Sequence, residues 1–341
     1  MTAPAPPSLK PLPDPEDPAA TAQWMNAVTE TVAHATRTSV LAQAHSAEQA
    51  ALFTLGLDDM RLAQSSAERI LTSAHLCAAL LLDRDAPDAW IGPVGALATL
   101  FETGIDIIDN VADRELAPHW SAMPESAASL VGTLFVSGLP MALLAEAPLP
   151  PERRLRMLAT IGRASTSIAQ GQLEDYALSG SDDVSVARVE ASYRSKTGDR
   201  HAMLIRLALE AAGEVDTTVL QAAEAFGRDL GLALQIRSDL SHLVGPDALR
   251  DLRNGTRTWP IAFALQSAKG TDRSELQRLL AQDAASADPL VEWMSEHGVM
   301  VAAMLRAEKA ADDARGRLPD VLQTEAGRAL LERATRRADQ R

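Results

Sequence analysis

From Trp24 onward, apolar residues recur at three- and four-residue steps in almost every segment, while alternation of β-branched residues is scarce. That spacing lines one face of a helix, whereas a strand needs a two-residue period. The sequence therefore predicts helices over 20–42, 47–57, 62–82, 93–113, 127–145, 152–177, 184–212, 217–243, 259–268, 273–282, 289–296, 299–318 and 324–339. Turn residues interrupt the pattern at Asp85-Ala86-Pro87-Asp88, Ala147-Pro148-Leu149-Pro150-Pro151, Ser179-Gly180-Ser181-Asp182 and Gly245-Pro246-Asp247. None of these breaks has the length of a domain linker, and the chain carries no internal repeat. Residues 1–20 are rich in Pro, Ala and Asp without an apolar period, which predicts a disordered tail. The expected architecture is all-α: one domain over 21–341, with long helices around a shared interior.

Charge and cysteine usage exclude several function classes. A formal net charge of −14 over 341 residues lacks the basic footprint of a nucleic-acid binder. Cys77 is the single cysteine, so neither an intrachain disulfide nor a thiolate metal cluster can form. No apolar run reads as a membrane span, and no basic-then-apolar leader opens the chain, so a cytoplasmic protein without an integral membrane segment is expected.

One predicted helix carries the strongest chemical signal. In the segment 100–113, Glu102, Asp106, Asp109 and Asp113 are spaced by four, three and four residues. At 100° per residue these carboxylates share a stripe roughly 60° wide, with Leu100, Phe101, Ile105, Ile107, Ile108, Val111 and Ala112 on much of the rest. Like charges one turn apart repel, and no Lys or Arg intervenes before Arg114. An amphipathic surface helix has the same pattern. The functional reading is a hard divalent cation, magnesium above all, drawn to oxygen ligands.

A second predicted helix, 226–242, places Gln235, Asp239 and His242 at i, i+4 and i+7 among apolar residues. Between the two lie Gly171-Gln172-Leu173-Glu174-Asp175, with Gln172 and Asp175 on a common face, and Tyr193-Arg194-Ser195-Lys196-Thr197. Further on, residues 251–260 contain Gly255-Thr256-Arg257-Thr258-Trp259-Pro260. In this order the segments resemble the trans-isoprenyl diphosphate synthase (polyprenyl synthetase) superfamily, whose members carry DDxxD, GQxxD, KT, GxxxQxxDDxxD and DxxxGxxTxP. Asp109-Asn110-Val111-Ala112-Asp113 matches the first motif, Gly171 to Asp175 the second, Lys196-Thr197 the third, Gly231 to His242 the fourth and 251–260 the fifth. Each is weak alone; five in order make a joint signal.

The resemblance implies an isoprenoid synthase-type bundle of long helices around a central apolar pocket, with two acidic helices facing each other at its mouth. It implies Mg2+ as cofactor, held by Asp109, Asn110 and Asp113 and on the second helix by Asp239 with Ser238. Asp109, Asp113 and Asp239 become the expected catalytic residues, and Lys196, Arg194, Gln235 and Arg257 the expected contacts to the substrate diphosphate. Glu102, Asp106, Gln172, Asp175, His242, Phe101 and Trp259 are expected around the pocket. Phe135, Tyr193 and Phe226 are further candidates to line it, or ordinary core. A homodimer is the family's expected assembly.

The departures from the family pattern shape the expected reaction. Ser238 and His242 replace two aspartates of the fourth motif, and Thr256 stands in place of a lysine, with Arg257 adjacent. The paired arginines that follow the first motif are absent, the chain reading Asp113-Arg114-Glu115-Leu116-Ala117-Pro118. The early GKxxRP element has no counterpart near residues 66–71. By the resemblance those two elements bind the isopentenyl diphosphate extender. Their loss predicts a class I terpene cyclase that ionises one allylic prenyl diphosphate of C15 or C20 size. The alternatives are a prenyltransferase or polyprenyl diphosphate synthase with a different acceptor, and an inactive regulatory subunit of a prenyl synthase. Asp58-Asp59 reads as a solvated turn and the Arg-rich end, 328–341, as a solvated helix face.

Overall fold

The computed structural model describes residues 9–14, 16–60, 71–244, 252, 254–281 and 286–336. Helices account for the regular structure of these residues, and no strand occurs among them. In chain order they are α1 (Pro18–Ala42), α2 (Ala47–Asp58), α3 (Ser73–Asp83), α4 (Ile91–Ala112), α5 (Glu125–Val136), α6 (Gly138–Glu146), α7 (Pro151–Leu178) and α8 (Val186–Tyr193). A π-turn (Arg194–Gly198) precedes α9 (Asp199–Ala212), α10 (Thr217–Val244), α11 (Trp259–Ser267), α12 (Gly270–Ala281), α13 (Asp288–Glu296), α14 (Val299–Val321) and α15 (Glu325–Arg336). The chain forms two compact units: Met1–Gly162 with Leu204–Ala222 and Leu318–Arg337, and Arg163–Met203 with Ala223–Arg317 and Ala338–Arg341.

In the first unit, glycines set the position of α4. A Cβ on Gly104 would stand 2.7 Å from Val136 Cγ1 and 2.8 Å from the Gly132 carbonyl oxygen, so α4 and α5 cross backbone to backbone there. Gly95 brings α4 against α1, where a Cβ would stand 2.4 Å from Val32 Cγ2, and Gly92 faces Ala35 less tightly, at 3.1 Å from its Cβ. Between these crossings, Val94, Leu97, Leu100, Phe101 and Ile107 are buried. The apolar part of α4 is thereby fixed, and its last turn emerges with the acidic residues.

Several expected elements are corrected. The helix predicted over 127–145 breaks at Ser137 (φ −131°, ψ −81°). Pro140 explains the break: it has no N–H for the carbonyl of residue 136, and its ring would collide with that carbonyl in a continuous helix. The predicted 184–212 helix is interrupted by the π-turn. Within the stretch expected as a tail over 1–20, Leu9 is buried and α1 starts at Pro18, with Asp17 accepting from Ala19 and Ala20 N–H. Residues 1–8, 15, 61–70 and 337–341 lie outside the described residues, and with them most of the expected 66–71 element and the extreme Arg-rich end. Arg328 and Arg333, read as part of a solvated face, instead donate to the Leu322 carbonyl and the Thr21 hydroxyl.

Two helical stretches, Asp88–Ala112 and Glu125–Glu146, are long and apolar enough to cross a membrane by length and composition alone. This corrects the expectation that no apolar run reaches that length. The apolar window of the first is 72% buried inside the protein, and the second contains the Ser137 break.

In the second unit, Leu232, Ile236 and Leu243 of α10 pack with Val189, Tyr193, Trp259, Ile261, Trp293 and Met294. Ala303, Ala307, Ala310 and Ala311 form the inner stripe of α14 in the same core. Trp259 stacks on Phe263 with ring centroids 5.2 Å apart. Arg306 forks onto Glu190 at 2.7 and 2.6 Å, and the Trp259 indole N–H donates to the same carboxylate at 3.0 Å.

Candidate active site

The first acidic group sits where α4 ends. Asp109 and Asn110 are half-buried in its last turn, and Asp113 is the exposed C-cap (φ −85°, ψ −4°). The chain reverses through a Schellman motif: Glu115 N–H donates to Asn110 O at 2.7 Å and Arg114 N–H to Val111 O at 3.2 Å. Arg114 takes the left-handed position (φ 61°) where glycine is the usual occupant. Helix carbonyls without intrahelical partners make this end electronegative, which adds to the charge of Asp109 and Asp113.

Among the described residues, no three His, Cys, Asp or Glu side chains converge into a preformed metal cage. Two carboxylates one turn apart, with an amide between them, nevertheless fit magnesium. That ion typically takes one or two protein carboxylates and completes its shell with water and substrate phosphate oxygens. Glu102, two turns earlier, accepts from the Ser73 hydroxyl at 2.5 Å, and Asp106 is half-buried on the same stripe.

The Lys196 turn organises the second group. A Cβ on Gly171 of α7 would lie 2.5 Å from the Lys196 amide nitrogen, and one on Gly231 of α10 would lie 2.8 Å from the Thr197 carbonyl oxygen. The glycines of the second and fourth motifs thus admit the backbone that carries the third. Inserted π-turns are frequent at functional sites because the extra residue re-aims side chains. Here the Thr197 carbonyl receives a hydrogen bond from His201 Nδ1 at 2.9 Å. Burial lowers the pKa of that imidazole to about 4.

Lys196 Nζ lies 3.5 Å from Asp175. Thr197 Oγ1 donates to Gln235 Oε1 at 2.8 Å, and Gln235 Nε2 donates to Asp239 Oδ1 at 3.2 Å. Asp239 Oδ2 accepts from the Tyr193 hydroxyl at 2.6 Å and the Trp259 backbone N–H at 3.2 Å. Burial, then the negative charge of Asp239, pushes the Tyr193 phenol well above its ordinary pKa. Ser238 and His242 are half-buried on the same helix, and Gln172 is half-buried on α7. Arg194 donates to Asp229 at 2.7 Å, and Arg317 reaches the other oxygen of that buried carboxylate at 2.8 Å.

Other expected site residues are engaged elsewhere. Arg257 is buried and donates to the carbonyls of Ser181 (2.6 Å) and Gly255 (3.2 Å), so its guanidinium ties the segment before α11 to the end of α7. Phe101, Phe135, Phe226 and Trp259 are buried core side chains. Asp251 lies outside the described residues. Asp59 corrects the expectation of a solvated turn: it accepts from the buried Trp120 indole N–H at 2.7 Å and lies 3.2 Å from His119 Nε2. Asp229, the shared partner of Arg194 and Arg317, was missed. The signal was available, since Asp229 falls seven residues before the buried Ile236 on an apolar face.

The chain is similar to known proteins in sequence and in fold. The Polyprenyl synthetase family profile matches residues 105–296, more than half of the chain. Farnesyl diphosphate synthase of Escherichia coli K12 is 24% identical over 211 residues, covering 59% of this chain and 70% of that protein. Solved structures with the same fold include a decaprenyl diphosphate synthase from Rhodobacter capsulatus (TM-score 0.80, 18% identity, 94% of this chain and 98% of that one). Geranylgeranyl pyrophosphate synthetase of Pyrococcus horikoshii gives a TM-score of 0.78 at 16% identity, covering 95% and 99%. A polyprenyl synthase from Caulobacter crescentus, complexed with calcium and isoprenyl diphosphate, gives 0.76 at 20% identity, covering 97% and 99%. With the ordered motifs, the helical fold and the family match in agreement, this chain belongs to the polyprenyl synthetase family, within the trans-isoprenyl diphosphate synthase superfamily.

Proposed function

We propose that this protein is a divalent-metal-dependent prenyltransferase of the prenyl diphosphate synthase type, acting on an allylic prenyl diphosphate. The Lys196 turn carries the reading: an ammonium group beside Asp175, on a backbone clamped by glycines of two other helices. In the reaction the allylic C–O bond breaks and its electron pair leaves with pyrophosphate. The acceptor's double bond then forms the new C–C bond, and a proton is lost from the adjoining carbon. A divalent cation, when bound, supplies charge that neutralises the departing diphosphate. Asp109, Asn110 and Asp113 would hold it, with magnesium best suited to this donor set. Lys196 contacts the diphosphate, and Arg194, more than a third of whose side chain is exposed, adds positive charge nearby on the same turn.

One observation favours the terpene cyclase reading on the same scaffold. The segment after the first motif, Arg114 to His119, lacks the superfamily's paired arginines, and His119 lies against Asp59. That segment offers a second diphosphate little positive charge. Incubation with geranyl, farnesyl or geranylgeranyl diphosphate, with and without isopentenyl diphosphate, separates the two. A longer diphosphate formed only with isopentenyl diphosphate supports the transferase. Hydrocarbon or terpene alcohol from a single substrate supports the cyclase. Absence of turnover together with tight binding to an active synthase would favour a regulatory subunit over both.

A further inference from the structure

Asp239 is the surviving aspartate of the second polar stripe, and its surroundings are unlike those of the α4 carboxylates. It is only 3% exposed, whereas Asp113 is at the surface. Among the described residues, its two oxygens accept from Tyr193 Oη at 2.6 Å, the Trp259 N–H at 3.2 Å and Gln235 Nε2 at 3.2 Å. Turning such a carboxylate toward a cation would take the acceptor from the buried Tyr193 phenol and from the Gln235 amide, while the Trp259 N–H, which also donates to Tyr193 Oη at 3.1 Å, would keep one. Buried donors left without acceptors are costly.

The Gln235 amide connects this cluster to the Lys196 turn. A carboxylate at Asp239 offers acceptors only, so the Gln235 NH2 group must face it, which leaves Oε1 for the Thr197 hydroxyl. Thr197 adjoins Lys196 within the π-turn. The carboxylate therefore sets the orientation of an amide that in turn holds the turn.

We propose that Asp239 is a positioning residue rather than a metal ligand, fixing Gln235, Tyr193 and the start of α11 so that the Lys196 turn keeps its geometry, while the α4 carboxylates alone hold the metal. This refines the proposed function and rests on it.

The test measures Mn2+ binding by the full-length protein in the presence of inorganic pyrophosphate, by electron paramagnetic resonance, alongside kcat and KM for the allylic substrate. Asp239→Asn keeps an acceptor for Tyr193 and Trp259, with the Gln235 amide able to reverse. It is expected to bind as many Mn2+ ions as the wild type at similar affinity, with activity partly retained, while Asp109→Asn loses binding. Tyr193→Phe leaves the Asp239 carboxylate in place and is expected to lower kcat about tenfold through misplacement of the turn, with Mn2+ affinity unchanged. Loss of one Mn2+, or clearly weaker binding, in a folded Asp239→Asn would overturn the assignment, as would an unchanged kcat in Tyr193→Phe. If Asp239→Asn does not fold, Tyr193→Phe decides by the same criterion. Weakened binding in both aspartate variants would overturn this role and leave the function standing. Absence of Mn2+ binding by the wild type would overturn the functional reading as well.

Discussion

Gly171 of α7 lies against the backbone of Lys196 so closely that a Cβ would stand 2.5 Å from its amide nitrogen. Real Cβ atoms do not approach backbone at that distance, so any other residue must move the turn. Gly171→Ala is expected to destabilise the protein by about 1–3 kcal/mol through overpacking. A displacement near 1 Å should lower kcat on the order of 100-fold. Equilibrium unfolding together with steady-state kinetics checks both; an alanine enzyme with wild-type kcat would contradict the clamp.

His75 and His201 predict a pH-dependent stability. Burial lowers the pKa of each to about 4. In His75, Nε2 donates to the Met25 carbonyl and Nδ1 accepts from Thr72, an arrangement only the neutral ring can make. Between pH 4 and 6.5 the unfolded chain binds more protons than the folded one, so stability falls as pH falls. The full contribution is present above about pH 6.5 and is lost progressively toward pH 4, about 3 kcal/mol for each histidine. Denaturant unfolding at pH 7, 6 and 5 should trace this slope, and replacing either histidine should flatten it.

Arg114 occupies a left-handed conformation, φ 61°, without the backbone freedom that glycine has for lack of a Cβ. A side chain in that region costs roughly 1–2 kcal/mol. Arg114→Gly is expected to stabilise the protein by about 0.5–1 kcal/mol, since glycine's greater unfolded-state entropy offsets part of the relief. Thermal unfolding should show a Tm above that of the wild type.

Asp59 anchors the buried Trp120 indole. Asp59→Ala leaves that N–H without its acceptor and should cost about 1–3 kcal/mol. Arg37→Ala, which removes only the exposed pair with Asp58, should cost less than about 1 kcal/mol. Comparable losses in the two variants would contradict the role given to Asp59.

The all-α fold was legible because a 3.6-residue apolar period runs through nearly the whole chain. The first and fourth motifs were legible because same-face polar residues within apolar helices leave a clear pattern. What the sequence concealed was partnership across distance. Periodicity could not show that Arg257 is committed to two carbonyls or that Asp59 holds Trp120. It could not show that Asp239 already serves donors at positions 193, 235 and 259. The π-turn at 194–198 was hidden for another reason: its residues suit an ordinary helix, and only the packing of Gly171 and Gly231 against it marks the interruption. Pro140 was a readable helix breaker that the apolar pattern around it obscured.

Release of inorganic pyrophosphate from geranyl, farnesyl or geranylgeranyl diphosphate, with Mg2+ and with or without isopentenyl diphosphate, tests the central claim most directly. The account predicts release from at least one substrate that stops on chelation and falls at least 100-fold in Asp109→Asn and in Lys196→Ala, a loss of the size expected for groups that stabilise a leaving anion. Wild-type protein that releases no pyrophosphate from any of the three under either condition, or an Asp109→Asn variant with full activity, would contradict it.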